Sequence, residues 1–152
     1  METKEKTKTL EPVKIEKLVF SPMVKHKVIA NIDALRIELE ENYTRIDFIC
    51  YARISQFRCF AWISICHDTF IRPVGTHQEL PLIKAVNIPC SPQKHFFKNE
   101  KDFLCYTLYF PPLPKDVKTI DIIEKEINGG NWFNFYGVSV QKTKQEVLIV
   151  SN

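Results

Sequence analysis

The stretch from Phe103 to Val140, FLCYTLYFPPLPKDVKTIDIIEKEINGGNWFNFYGVSV, restricts the fold more than any other part of the chain. An apolar run meets three prolines, a second apolar run follows, and a Gly-Gly turn leads into an aromatic run. Alternating side chains are the signature of a strand. Proline cannot donate to a ladder, so Pro111-Pro112-Leu113-Pro114 reads as an extended corner of polyproline type. Asn128-Gly129-Gly130-Asn131 supplies the positive φ that tight turns need. This is the grammar of an antiparallel β-sandwich, and it contains no catalytic sequence.

The rest of the chain follows the same grammar. Val13, Ile15, Leu18 and Phe20 suggest a first strand that Ser21-Pro22 ends. Leu35, Ile37 and Leu39 alternate with Arg36, Glu38 and Glu40, and Ile46, Phe48, Cys50 and Ala52 alternate with Asp47, Ile49, Tyr51 and Arg53. Further strands are expected over Phe60 to Cys66, with Trp62 as a core residue, over Thr69 to Val74, and over Glu79 to Ile88. Val147 to Val150 adds a short last one. Met23 to Ala30 fits no single pattern, and Gln93 to Asp102 is polar around Phe96 and Phe97. Eight or nine short strands with no amphipathic helix between them predict an all-β, antiparallel two-sheet sandwich of immunoglobulin-like type. Eleven Phe, five Tyr and two Trp favour strands as well.

At 152 residues the chain suits one domain. We expect a disordered polar arm over 1–11 and a single sandwich domain over 12–152. The net charge of +3 is too mild for a nucleic-acid protein. The early lysines read as a solvated tail rather than a basic arm. Five cysteines cannot all pair within a monomer, which favours a reducing compartment. A Cys50–Cys105 bridge requires the two to oppose each other across the sheets. The start has no apolar signal region, and no run approaches a membrane span. A cytoplasmic protein is the direct reading.

Candidate sites are few. Cys66, His67 and Asp68 are consecutive, but neighbours on a strand point to opposite faces, which works against a catalytic dyad. Cys90 and His95, with Cys59, Cys66 or His67, could be drawn together around zinc, yet the spacing matches no zinc pattern. No metal or cofactor is therefore expected. Asp121 and Glu124 face opposite ways on a strand and, with Glu126, read as solvated charges rather than an acid–base pair. Alternation puts Trp132, Asn134 and Tyr136 on one face and Phe133, Phe135 and Gly137 on the other. One set should be core, and an exposed set would mark an interaction surface.

The runs WISICHDTFIRPVGTHQELPLIKAVNIP, YTLYFPPLPKDVKTIDIIE and NWFNFYGVSV resemble an accessory β-sandwich domain of Bacteroidetes-type envelope proteins, a resemblance that covers about Ala34 to Val140. In such proteins the domain often precedes a thioredoxin-like domain, which this chain lacks, along with its Cys-x-x-Cys. The resemblance implies an envelope location, against the cytoplasmic reading, and an accessory role without a catalytic residue. The expected function is therefore binding or support of a protein partner without enzymatic activity, through Trp132, Asn134, Tyr136 and the corner at Pro111, Pro112 and Pro114. The alternative is a carbohydrate-binding module built on exposed aromatic residues, and it requires that Trp132 and Trp62 not both be buried.

Overall fold

The computed structural model describes residues 16–52, 62–130, 132–140 and 148–151. The arm at 1–11, Cys59 and Phe60 lie outside the described residues. Thirteen strands run in chain order among those described: β1 Glu16–Phe20, β2 Val24–Lys27, β3 Ile32–Glu40, β4 Tyr43–Tyr51, β5 Trp62–Ile63, β6 Phe70–Pro73, β7 Leu80–Pro81, β8 Lys84–Val86, β9 His95–Phe96, β10 Phe103–Phe110, β11 Thr119–Ile123, β12 Asn134–Ser139 and β13 Leu148–Ser151. A six-stranded sheet has the order β13-β1-β3-β4-β10-β8, a five-stranded sheet the order β2-β12-β11-β6-β7, and β5 and β9 make a two-stranded ladder. Neighbouring strands pair antiparallel throughout. The all-β, sandwich-like class is as expected.

The strands outnumber the expected eight or nine because one run that read as continuous changes sheets and because β2 and β9 lie in stretches without a clear period. The run that changes sheets is the expected Glu79-to-Ile88 strand. Leu82 donates its backbone N–H to Thr69, just ahead of β6 in the five-stranded sheet (2.8 Å), and the next residue, Ile83, donates to Tyr109 in the six-stranded one (2.8 Å). Pro81 has no N–H to extend β7.

The core lies between the two large sheets. Thr44, Ile46, Phe48 and Cys50 point inward from β4, and Tyr106, Leu108 and Phe110 from β10. Ile71, Ile120, Ile122, Phe135 and Val138 face them from the other sheet. Phe48 is the hub, with ring centroids 5.2 Å from Tyr106, 4.8 Å from Phe133 and 5.8 Å from Phe135. Offset and edge-on arrangements at these spacings suit aromatic quadrupoles.

Two bulges redirect side chains. Between Ala34 and Arg36 the β3–β4 register slips, so Leu35 is unpaired and 45% exposed rather than sharing a face with Ile37. On β12, Tyr136 and Gly137 together oppose Asp121, and Val138 takes the inward position that strict alternation gives to Gly137. Gly137 has φ +67°, and a Cβ there would lie 2.7 Å from the Cβ of Lys25 on β2, so only glycine fits.

β10 is longer than its edge partner. It pairs with β4 over Phe103–Phe110 but with β8 only over Thr107–Tyr109. Beyond β8, side chains take over the ladder's work. The Asp102 carboxylate accepts the Phe103 N–H (2.8 Å), and the Asn87 amide donates to the Cys105 carbonyl (2.6 Å). Asn87 does so from a left-handed backbone, φ 67°, a conformation asparagine tolerates better than most residues.

Candidate functional site

The aromatic set on β12 is split as alternation requires. Phe133 and Phe135 enter the core, and Asn134 and Tyr136 face away from it. The outward residues are already engaged. Asn134 is buried: its Oδ1 accepts the N–H groups of Glu124 (2.8 Å) and Lys125 (3.3 Å), and its amide donates to the Lys125 carbonyl (2.7 Å). It therefore closes the 124–133 turn. Tyr136 donates to Glu126 (3.3 Å) and stacks on His26 at 6.2 Å. Trp132, half-buried, lies under the Lys125 ammonium (5.2 Å), and a Cβ on Gly130 would come within 3.0 Å of its indole nitrogen.

The proline corner is partly open. The Pro111 carbonyl accepts the buried Thr44 hydroxyl (3.0 Å), and Leu113 packs against the core. Pro112 and Pro114 are exposed. Both line a cleft of about 340 Å³ with Leu18, Leu39 and Glu40. Pro114 also borders a second cleft, of about 520 Å³, with Pro73 and Thr76.

Two of the three acids expected to be solvated are buried. Glu124 accepts the Phe133 N–H on Oε1 (2.9 Å) and the Cys66 N–H on Oε2 (3.0 Å). Asp121 accepts the Gly137 N–H inside the bulge (3.0 Å) and pairs with Arg72 (3.1 Å). Arg72 reaches on to Glu126 (2.9 Å), and that hydrogen bond holds the Glu126 carboxyl below its usual value. Each acid holds backbone or a cation in place, and partners so distant in sequence cannot be seen from local pattern.

The cysteines are free where described. Cys50 and Cys105 belong to the same sheet, Cys50 opposite Leu104 and Cys105 opposite Ile49. They point to opposite faces, so the cross-sheet bridge is geometrically closed. Burial, and next the Glu124 carboxylate, push the Cys66 thiol above its ordinary value. A nucleophilic thiol needs the reverse. His67 and Asp68 sit exposed in the turn after it. Among the described residues no group of three or more His, Cys, Asp or Glu is placed to hold a metal ion, and no helix is long and apolar enough to cross a membrane. Burial lifts the Cys50 thiol to about 12, whereas Cys105 is exposed. Thiol labelling followed by peptide mapping should therefore modify Cys105 early and Cys50 only on unfolding. Equal rates at the two would contradict the packing around β4.

The most open aromatic surface lies where the sequence suggested core and loop. Trp62 is 48% exposed and Phe96 61%, and they are cross-strand partners on the β5–β9 ladder. Trp62 is not a core residue, because Ile63 and Ile65 hold the inward positions and alternation turns the indole out. On the inner side Ile63 pairs with His95, whose ring meets Phe97 edge-on at 5.3 Å. On the outer side the Lys94 ammonium sits 4.3 Å from the centre of the Trp62 ring. The inward spacing of Ile63 and Ile65 was the available signal. No protein-family model, no curated protein and no solved structure matches the chain.

Proposed function

We propose that this protein is a non-enzymatic, immunoglobulin-like β-sandwich that binds a protein partner through the outer face of the β5–β9 ladder. One observation carries the reading: two large aromatic side chains, Trp62 and Phe96, stand side by side and about half exposed on a ladder set apart from both main sheets. Exposed apolar clusters of this kind mark contact surfaces, and Trp is prominent among residues that dominate binding energy. Of the perturbed groups elsewhere, Cys50 is buried in the core, and Cys66 and Glu126 are held in structural contacts. The resemblance to accessory sandwich domains agrees with this role.

The carbohydrate reading keeps one supporting observation, the half-exposed Trp62 indole. It is the weaker reading because the Lys94 ammonium occupies the ring face on which a sugar would stack. Affinity capture from an extract of the source cell, run with the protein and with the Trp62→Ala/Phe96→Ala double variant, tests the proposal. A protein captured by the first and lost with the second is expected, with melting curves that coincide. Equal capture by both would move the contact elsewhere. Binding to a neutral glycan array that is lost with Trp62→Ala would favour the sugar reading instead.

A further inference from the structure

We infer that the partner presents an acidic segment to the β5–β9 ladder, with Lys94 as the cation that receives it. This rests on the binding role proposed for Trp62 and Phe96. Lys94 precedes β9 on the parity of Phe96, and its ammonium lies over the Trp62 ring at 4.3 Å. Among the described residues no carboxylate pairs with it. Lys98 and Lys101, a few residues on, are exposed and likewise have no paired carboxylate.

The nearby Asp102 offsets part of this charge, but its carboxylate is held toward the backbone and the Lys98 end of the segment rather than toward Lys94. Asp102 accepts the N–H of Lys98 (3.0 Å) and of Phe103 (2.8 Å). Asp102 and Glu100 therefore stand against three lysines, and neither makes an ion pair with Lys94. An ammonium has three donors, and the ring face satisfies one direction. A carboxylate can therefore join Lys94 without lifting it from the indole, adding a charge-assisted bond to an aromatic contact.

The same geometry disfavours a bilayer. Burying the indole among lipid chains would carry the ammonium down with it, and charge in hydrocarbon is costly. An acidic segment of protein offers carboxylates for the lysines and apolar side chains for the two rings.

Selection from a random-peptide display library tests this, using the wild type, Trp62→Ala and Lys94→Glu. The wild type should select peptides enriched in Asp and Glu over the naive library. Their affinity should fall about tenfold with Lys94→Glu, which corresponds to about 1.4 kcal/mol, and should weaken with added salt. Peptides that depend on Trp62 but show no acidic enrichment would overturn the acidic partner and leave the binding surface standing. If no selected peptide depends on Trp62, both proposals fail. Sedimentation with phosphatidylserine vesicles that is lost with Lys94→Glu, without acidic peptides, would overturn the inference in favour of a membrane.

Discussion

Phe48→Ala should cost about 3–5 kcal/mol of unfolding free energy, the range for emptying a packed aromatic site. Phe48 is fully buried and touches ring partners from both sheets, so no single neighbour can collapse into the space. Domains of this kind hold about 5–15 kcal/mol in total, so the variant sits near the edge of folding at room temperature. Urea unfolding followed by far-ultraviolet circular dichroism reads the loss directly. A cost below about 1 kcal/mol would show that the aromatic hub does not bind the two sheets together. Phe48→Leu keeps most of the volume and should recover most of the loss.

The second large effect belongs to Glu124. Its two oxygens each accept a backbone N–H, a buried one from Phe133 at the entry to β12 and a part-buried one from Cys66 in the turn before β6. Glu124→Ala strands the Phe133 donor away from water and leaves the part-buried Cys66 donor without its acceptor, and an unsatisfied buried donor costs about 1–3 kcal/mol. A loss of about 3 kcal/mol is expected, similar in size to a core deletion although the residue is polar. Glu124→Gln keeps one acceptor oxygen and should lose about half as much. Hydrogen exchange locates the damage: faster exchange at Cys66 and Phe133, with β4 unchanged until global unfolding. Unchanged protection at both amides would show that the clamp is dispensable.

Legibility from sequence followed the length of unbroken alternation. β4 and β10 could be read because every second residue turns inward without interruption, and they make the longest pairing without a register shift among the described residues. Leu35 could not, since one unpaired residue inverts the faces on either side of it and ALRIELE carries no mark of the slip. β9 lay hidden in a polar stretch, because a ladder of two residue pairs is too short to show a period. Trp62 was misplaced for another reason: the size of an indole suggests core, whereas its position relative to Ile63 and Ile65 decides otherwise. Asp121 and Glu124 read as surface charges because their partners come from distant segments, Cys66 being 58 residues from Glu124. The aromatic residues of β12 were assigned correctly to faces, but the hydrogen bonds of Asn134 only appear once the turn has closed.

The side chains that finish β10 bear on how this chain behaves in a crowded solution. Fibril growth from native sheets begins when a bare strand flank templates a second molecule, and an aromatic-rich, all-β chain is a ready substrate for it. Past the end of β8, an incoming strand meets a Phe103 amide already held by Asp102 and a Cys105 carbonyl already held by Asn87. On the other sheet the outermost strand β2 carries Lys25 and Lys27, and β7 at the far side ends in Pro81. Polymerisation through these three flanks is blocked by a carboxylate, an amide, two lysines and a proline. These sheet flanks are thus guarded, while Phe96 and the Trp62 indole beneath Lys94 remain open on the separate ladder.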